Sequence, residues 1–129
     1  MSRIRWLTSL LGLAAATAAS AADPSPSAPE QAVIVYFHYG SRDLQPLFAL
    51  EDQLESAVAK AHVGEYDGHE IAIDGSDGHL YMYGPDADRL FEAVKPVLES
   101  SRFMKGAKVK KRYGPPKDGV REVEVTLAP

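Results

Sequence analysis

The chain has 129 residues, 45% hydrophobic and 25% charged, with 14 Lys+Arg against 18 Asp+Glu and a formal net charge of −4. That is globular composition with room for one domain. It contains no Cys, which excludes a disulfide framework and any thiolate-ligated metal site.

Met1–Ala22 has the three parts of a secretory signal: Arg3 and Arg5, the uncharged Leu/Ala-rich run Trp6–Ala16, then small residues at Ala19-Ser20-Ala21. The sequence therefore predicts a signal peptide over 1–22, cut after Ala21 or Ala22, and an exported product, periplasmic or secreted. The apolar run is too short to cross about 30 Å of hydrocarbon, so no stable membrane insertion is expected after cleavage. Losing Arg3 and Arg5 leaves 12 Lys+Arg against 18 Asp+Glu, a balance of −6. Such an acidic product is not expected to bind nucleic acid, since phosphate neutralisation supplies most of that affinity.

Residues 23–30 (DPSPSAPE) hold three prolines and read as an extended linker. A single domain is expected over 31–129. Ala32–Tyr39 is β-branched and aromatic and predicts a central strand. Gly40 ends it, and Ser41 or Asp43 is placed to cap a helix whose stripe runs Leu44, Leu47, Leu54, Val58, Ala61. Phe48 and Leu50 widen that stripe, and Glu51 is read as lying off it. Gly64 stops the helix.

Glu65–Ile73 and Gly78–Tyr83 flank a Gly/Asp cluster and predict a hairpin. Pro85 suits the first turn of a second helix, whose buried face is Leu90, Phe91, Val94, Val97 and Leu98. Pro96, inside that pattern, is expected to bend or split it. Ala107–Tyr113 and Val120–Leu127 close the chain as two strands around Gly114–Gly119.

The order predicts an α+β fold: a ferredoxin-like βαββαβ sandwich with an extra C-terminal hairpin strand, two helices on one face of an antiparallel sheet. The fold by itself implies no activity. With Val33, Val35 and Phe37 beneath the helices, Tyr36 and His38 would point outward, joined by His79, Tyr81 and Tyr83 from the neighbouring strand. Rings of this kind give a partner face large contact area with polar tips. They are also ordinary residues for a half-exposed strand.

His38 and His79 lie close enough in the pattern to share a metal, but a third ligand is not evident, Glu70 on another strand being the nearest, so no metal centre is assigned. Asp74-Gly-Ser-Asp-Gly resembles half a calcium loop and lacks the later acidic ligands, so a turn explains it. Ser41 and Arg42, between strand and helix, form a candidate anion site. The chain has no Asn and no acylphosphatase-like glycine pattern, which argues against that activity. Eight of the 12 basic residues after position 22 lie between Arg102 and Arg121, with Glu122 and Glu124 available to pair with some of them.

The pieces Asp74-Gly-Ser-Asp-Gly, Leu80-Tyr-Met-Tyr-Gly-Pro-Asp-Ala-Asp and Arg112-Tyr-Gly-Pro-Pro resemble a family of small uncharacterised bacterial proteins with a ferredoxin-like domain, over most of 31–127. That resemblance implies the compact fold and brings no activity or site residues.

The reading expects an exported, non-catalytic binding domain, with no cofactor, that meets a protein or small ligand through the open sheet face or an edge strand. A homodimer through the same surfaces is an alternative occupant. The other two readings are a small hydrolase-like enzyme with the Ser41/Arg42 anion site, and metal binding through surface His.

Overall fold

In a computed structural model that describes residues 30–129, the apolar run near the start of the domain forms β1, Gln31–His38. The expected signal peptide and all but the last residue of the expected linker lie outside the described residues. Val33, Val35 and Phe37 are fully buried on one side of β1, as alternation requires of a strand with a single covered face.

α1 spans Gln45–Ala61 and buries Leu47, Leu50, Leu54 and Val58. Its N-cap is Leu44, with no cap bond from its own side chain. Neither Ser41 nor Asp43 occupies that position. Asp43 still serves the end, because its Oδ1 accepts from the Gln45 N–H at 3.1 Å, supplying one of the helix's orphan donors. Ala61 and Phe48 are exposed, so the buried stripe is narrower than the sequence suggested.

β2 (Glu65–Ile71) and β3 (Asp77–Gly84) pair antiparallel, with a register shift between Tyr66 and Gly68. α2 spans Ala87–Glu99. Asp86 caps it by accepting from the Asp88 and Arg89 N–H groups, a standard use of an Asp side chain. Pro85 therefore precedes the helix rather than sitting in its first turn.

Pro96 does not split α2, which runs through it as one element. Pro96 is exposed and three residues from the helix end, and its own carbonyl still accepts from Ser100 N–H at 3.1 Å. One donor is missing near a terminus where the solvent side is open, so the usual interior penalty is not met in full. A 3-10 turn at Arg102–Met104 leads into β4, Lys108–Arg112, and the chain closes with β5, Glu122–Thr126. Both final strands are shorter than their sequence patterns.

The fold is α+β, with one antiparallel five-stranded sheet in the order β2-β3-β1-β4-β5. The first four strands follow the split βαβ order, and β5 extends the sheet beyond it as a new edge. Val33, Val35, Phe37, Leu80, Met82 and Val109 share one core with the apolar sides of α1 and α2. α1 and α2 therefore lie on one face, and among the described residues the other face carries no helix. Among the described residues no helix is long and apolar enough to cross a membrane.

Candidate functional site: the outer sheet face

Antiparallel partners share a face, so the register gives the outer surface row by row. Ala32 lies between Tyr83 and Arg112, Ile34 between Tyr81 and Lys110, and Tyr36 between His79 and Lys108. His38 faces Asp77. The pairing thus brings Tyr36, His38, His79, Tyr81 and Tyr83 together on two adjacent central strands.

The rings touch. Tyr36 lies 5.2 Å from His79 and 5.5 Å from His38 between centroids, and His79 stacks on Tyr81 at 6.0 Å. Such distances fall in the range where aromatic pairs contribute beyond simple burial. His79 is thereby held between two tyrosines.

Two carboxylates orient the phenols. Asp77 accepts from the Tyr36 hydroxyl at 3.0 Å and pairs with His38 Nδ1 at 2.7 Å. Glu70 accepts from the Tyr81 hydroxyl at 2.5 Å. These bonds favour the neutral phenols and, at Asp77, the charged carboxylate. Asp77 is held below the ordinary carboxylate range, first by the His38 bond and then by Tyr36. The Tyr36 phenol is raised, chiefly by Asp77, and Tyr81 is pushed up to about 12, chiefly by Glu70. Desolvation raises Tyr83, with the nearby Arg112 pulling the other way.

Charge on the face alternates across the sheet: carboxylates line its β2/β3 side, Lys108 and Lys110 project from β4, and Glu122 and Glu124 follow on β5. Lys110 reaches Glu122 at 3.7 Å, an exposed pair worth little on its own. At the Ala32 end the surface is closed. Ala32 is fully buried and Arg112 is 7% exposed, its Nε donating to the Gly114 carbonyl at 2.7 Å. Of the five rings only His38, at the opposite end, is exposed, its side chain at 79%.

The Ser41/Arg42 loop is built differently from a phosphate cradle. The N–H groups of Tyr39, Gly40 and Ser41 donate to the Ser76 and Gly75 carbonyls of the β2–β3 turn. Ser41 Oγ accepts from Asp43 N–H at 3.0 Å. Arg42 remains as an exposed side chain. Asp74 accepts from both the Ser76 N–H and hydroxyl, which accounts for the calcium-like motif as an Asx turn. Among the described residues no group of three or more His, Asp or Glu could hold a metal ion.

One polar cluster is absent from the sequence reading. Glu51 accepts from Tyr66 Oη at 2.6 Å and pairs with His69 Nδ1 at 2.9 Å, between α1 and β2. Burial and the Glu51 carboxylate drive the Tyr66 phenol far above its ordinary range. The signal was present: Leu47, Glu51, Leu54 and Val58 recur at spacings of four, three and four. Glu51 sits on the buried stripe, not off it.

No family model, curated protein or solved structure matches the chain.

Proposed function

We propose that this chain is an exported, non-catalytic binding domain that meets a protein partner through its outer sheet face. The supporting observation is the contiguous row of His38, Tyr36, His79 and Tyr81 on the side of the sheet away from both helices. Rings already oriented by Asp77 and Glu70 lose little side-chain freedom on docking, which favours binding over an unordered surface. Lys108, beside Tyr36, supplies charge that selects orientation.

The hydrolase reading draws less support, because the Tyr39, Gly40 and Ser41 N–H groups of its loop are bonded to the neighbouring turn. The metal reading draws less too, because His38 and His79 gain no third ligand.

The test uses the double variant Tyr36→Ala/Tyr81→Ala beside Phe48→Ser, which alters an exposed ring away from the face. With all three proteins folded by circular dichroism, affinity capture from the exported fraction should lose specific bands only for the double variant. Identical captured sets from all three would remove the outer face as the binding site.

A further inference from the structure

A second surface, sharing only His38 with the outer face, has the shape of a small-ligand site. Where β1 leaves the sheet, the start of α1 and the end of α2 part to form a groove of about 620 Å³. That lies within the span of small-molecule sites, about 300–1,000 Å³. Tyr39, Leu50 and Phe103 line it, with Pro46 and Ala49 contributed by α1.

The aromatic part is fixed in place. Phe103 lies edge-on to Tyr39 at 5.0 Å and 5.8 Å from the buried Phe37. The Tyr39 hydroxyl donates to the Asp43 carbonyl. An apolar guest would therefore meet a preformed wall rather than order a loose one.

Charge chooses the guest. The chain carries 18 acidic residues, yet none lines this groove, and its two basic residues are His38 and Arg102. The cleft beside β2 shows the opposite character, lined by Glu51, Asp52, Glu55 and Asp67. Among the described residues Arg102 enters no ion pair. A guanidinium beside an apolar wall suits a carboxylate on an apolar body, because Arg offers two parallel donors to that group.

We propose that this groove binds an amphipathic monocarboxylate, its aliphatic or aryl body against Tyr39, Leu50 and Phe103 and its carboxylate on Arg102. Neither half suffices. Arg102 is exposed, so the ion pair alone is weak. The open groove alone leaves an apolar chain partly in water, with nothing to orient it.

Calorimetric titration of the folded protein with octanoate, 1-octanol and acetate tests both halves. Octanoate should saturate one site, acetate should show no binding, and octanol should bind about three- to fivefold more weakly than octanoate, the size of one exposed ion pair. Arg102→Gln should bring octanoate down to the octanol level. Ala49→Trp, at an exposed helix position, should block the groove and abolish the signal, while Phe48→Ser leaves it intact. Shifts of the Ser101 and Phe103 amide resonances on adding octanoate should report the same site. Absence of saturable octanoate binding would overturn the proposal, as would full binding by Arg102→Gln or by Ala49→Trp. Tyr36→Ala/Tyr81→Ala should bind octanoate normally, so failure of the outer-face reading leaves this result distinct.

Discussion

The Glu51 carboxylate and the Tyr66 hydroxyl meet at 2.6 Å across the junction of α1 and β2. His69 Nδ1 approaches the same oxygen, Oε2. A carboxylate on a buried stripe is tolerated because two donors reach it. The Glu51 side chain is only 15% exposed, so water is poorly placed to substitute for either donor.

Glu51→Leu should therefore strand the half-buried Tyr66 phenol and lower unfolding free energy by about 1–2 kcal/mol, below the full cost of a buried unsatisfied polar group. Tyr66→Phe should cost less, about 1 kcal/mol. The double variant should fall well short of the sum, since both remove one shared contact. Urea unfolding of the four proteins measures this, and additive losses would show that the pair is not coupled.

Tyr81 and Glu70 give a prediction at alkaline pH. The Tyr81 phenol titrates near 12 in the folded protein and near 10 when unfolded. A raised folded value means that the folded chain holds the proton more tightly. The stability from this bond is then fully present below about pH 10 and lost as pH rises toward about 12. Tyr66 is raised further still, so the late phenolate absorbance should lose one tyrosine's amplitude in Tyr81→Phe, and the same amplitude should move to lower pH in Glu70→Gln. An unchanged late transition in Glu70→Gln would show that the carboxylate is not its cause.

Asp77 acts in the opposite direction. The bonds from His38 and Tyr36 lower its folded value beneath 3.8, so their contribution is present at neutral pH and disappears as pH falls through that lowered value. Melting temperature measured from pH 5 downward should drop less steeply for Asp77→Asn than for the wild type. Equal slopes would mean that Asp77 is not among the groups driving the acid loss.

The element order and outer face were readable because they rest on local patterns. Val33, Val35 and Phe37 alternate with Ile34, Tyr36 and His38, and a period of two admits only two assignments of face. The positions of His79, Tyr81 and Tyr83 followed once β3 was paired with β1. Contacts between elements were not readable in this way. Nothing local says that Tyr66 and His69 converge on Glu51, because the register shift near Gly68 and the docking of α1 determine it together. The groove beside Tyr39 escaped for the same reason. Phe103 reaches it from a 3-10 turn far along the chain, and a three-residue turn leaves no periodic trace. The split expected at Pro96 is absent because the expected penalty was that of a helix interior, whereas the element ends within a turn.

Gly75 links the loop after β1 to the β2–β3 turn, and that link can be tested by adding one methyl group. Its φ is +79°, and a Cβ there would stand 2.1 Å from the Ser41 carbonyl oxygen and 2.6 Å from its carbon. Both are backbone atoms, so relief requires the loop to move off the turn. The bonds from Gly40 and Ser41 N–H to the Gly75 carbonyl would then be lost. Gly40 supplies the control: its φ is +73°, with nothing within 4 Å of a built Cβ. Gly40→Ala should cost about 1 kcal/mol, the penalty of left-handed backbone for an L residue. Gly75→Ala should cost that amount and at least about 2 kcal/mol more, from the lost bonds and the contact. Hydrogen exchange at the Tyr39, Gly40 and Ser41 amides should accelerate in Gly75→Ala alone. If the two variants lose equal stability and those amides stay protected in both, the loop is held by something other than this close approach.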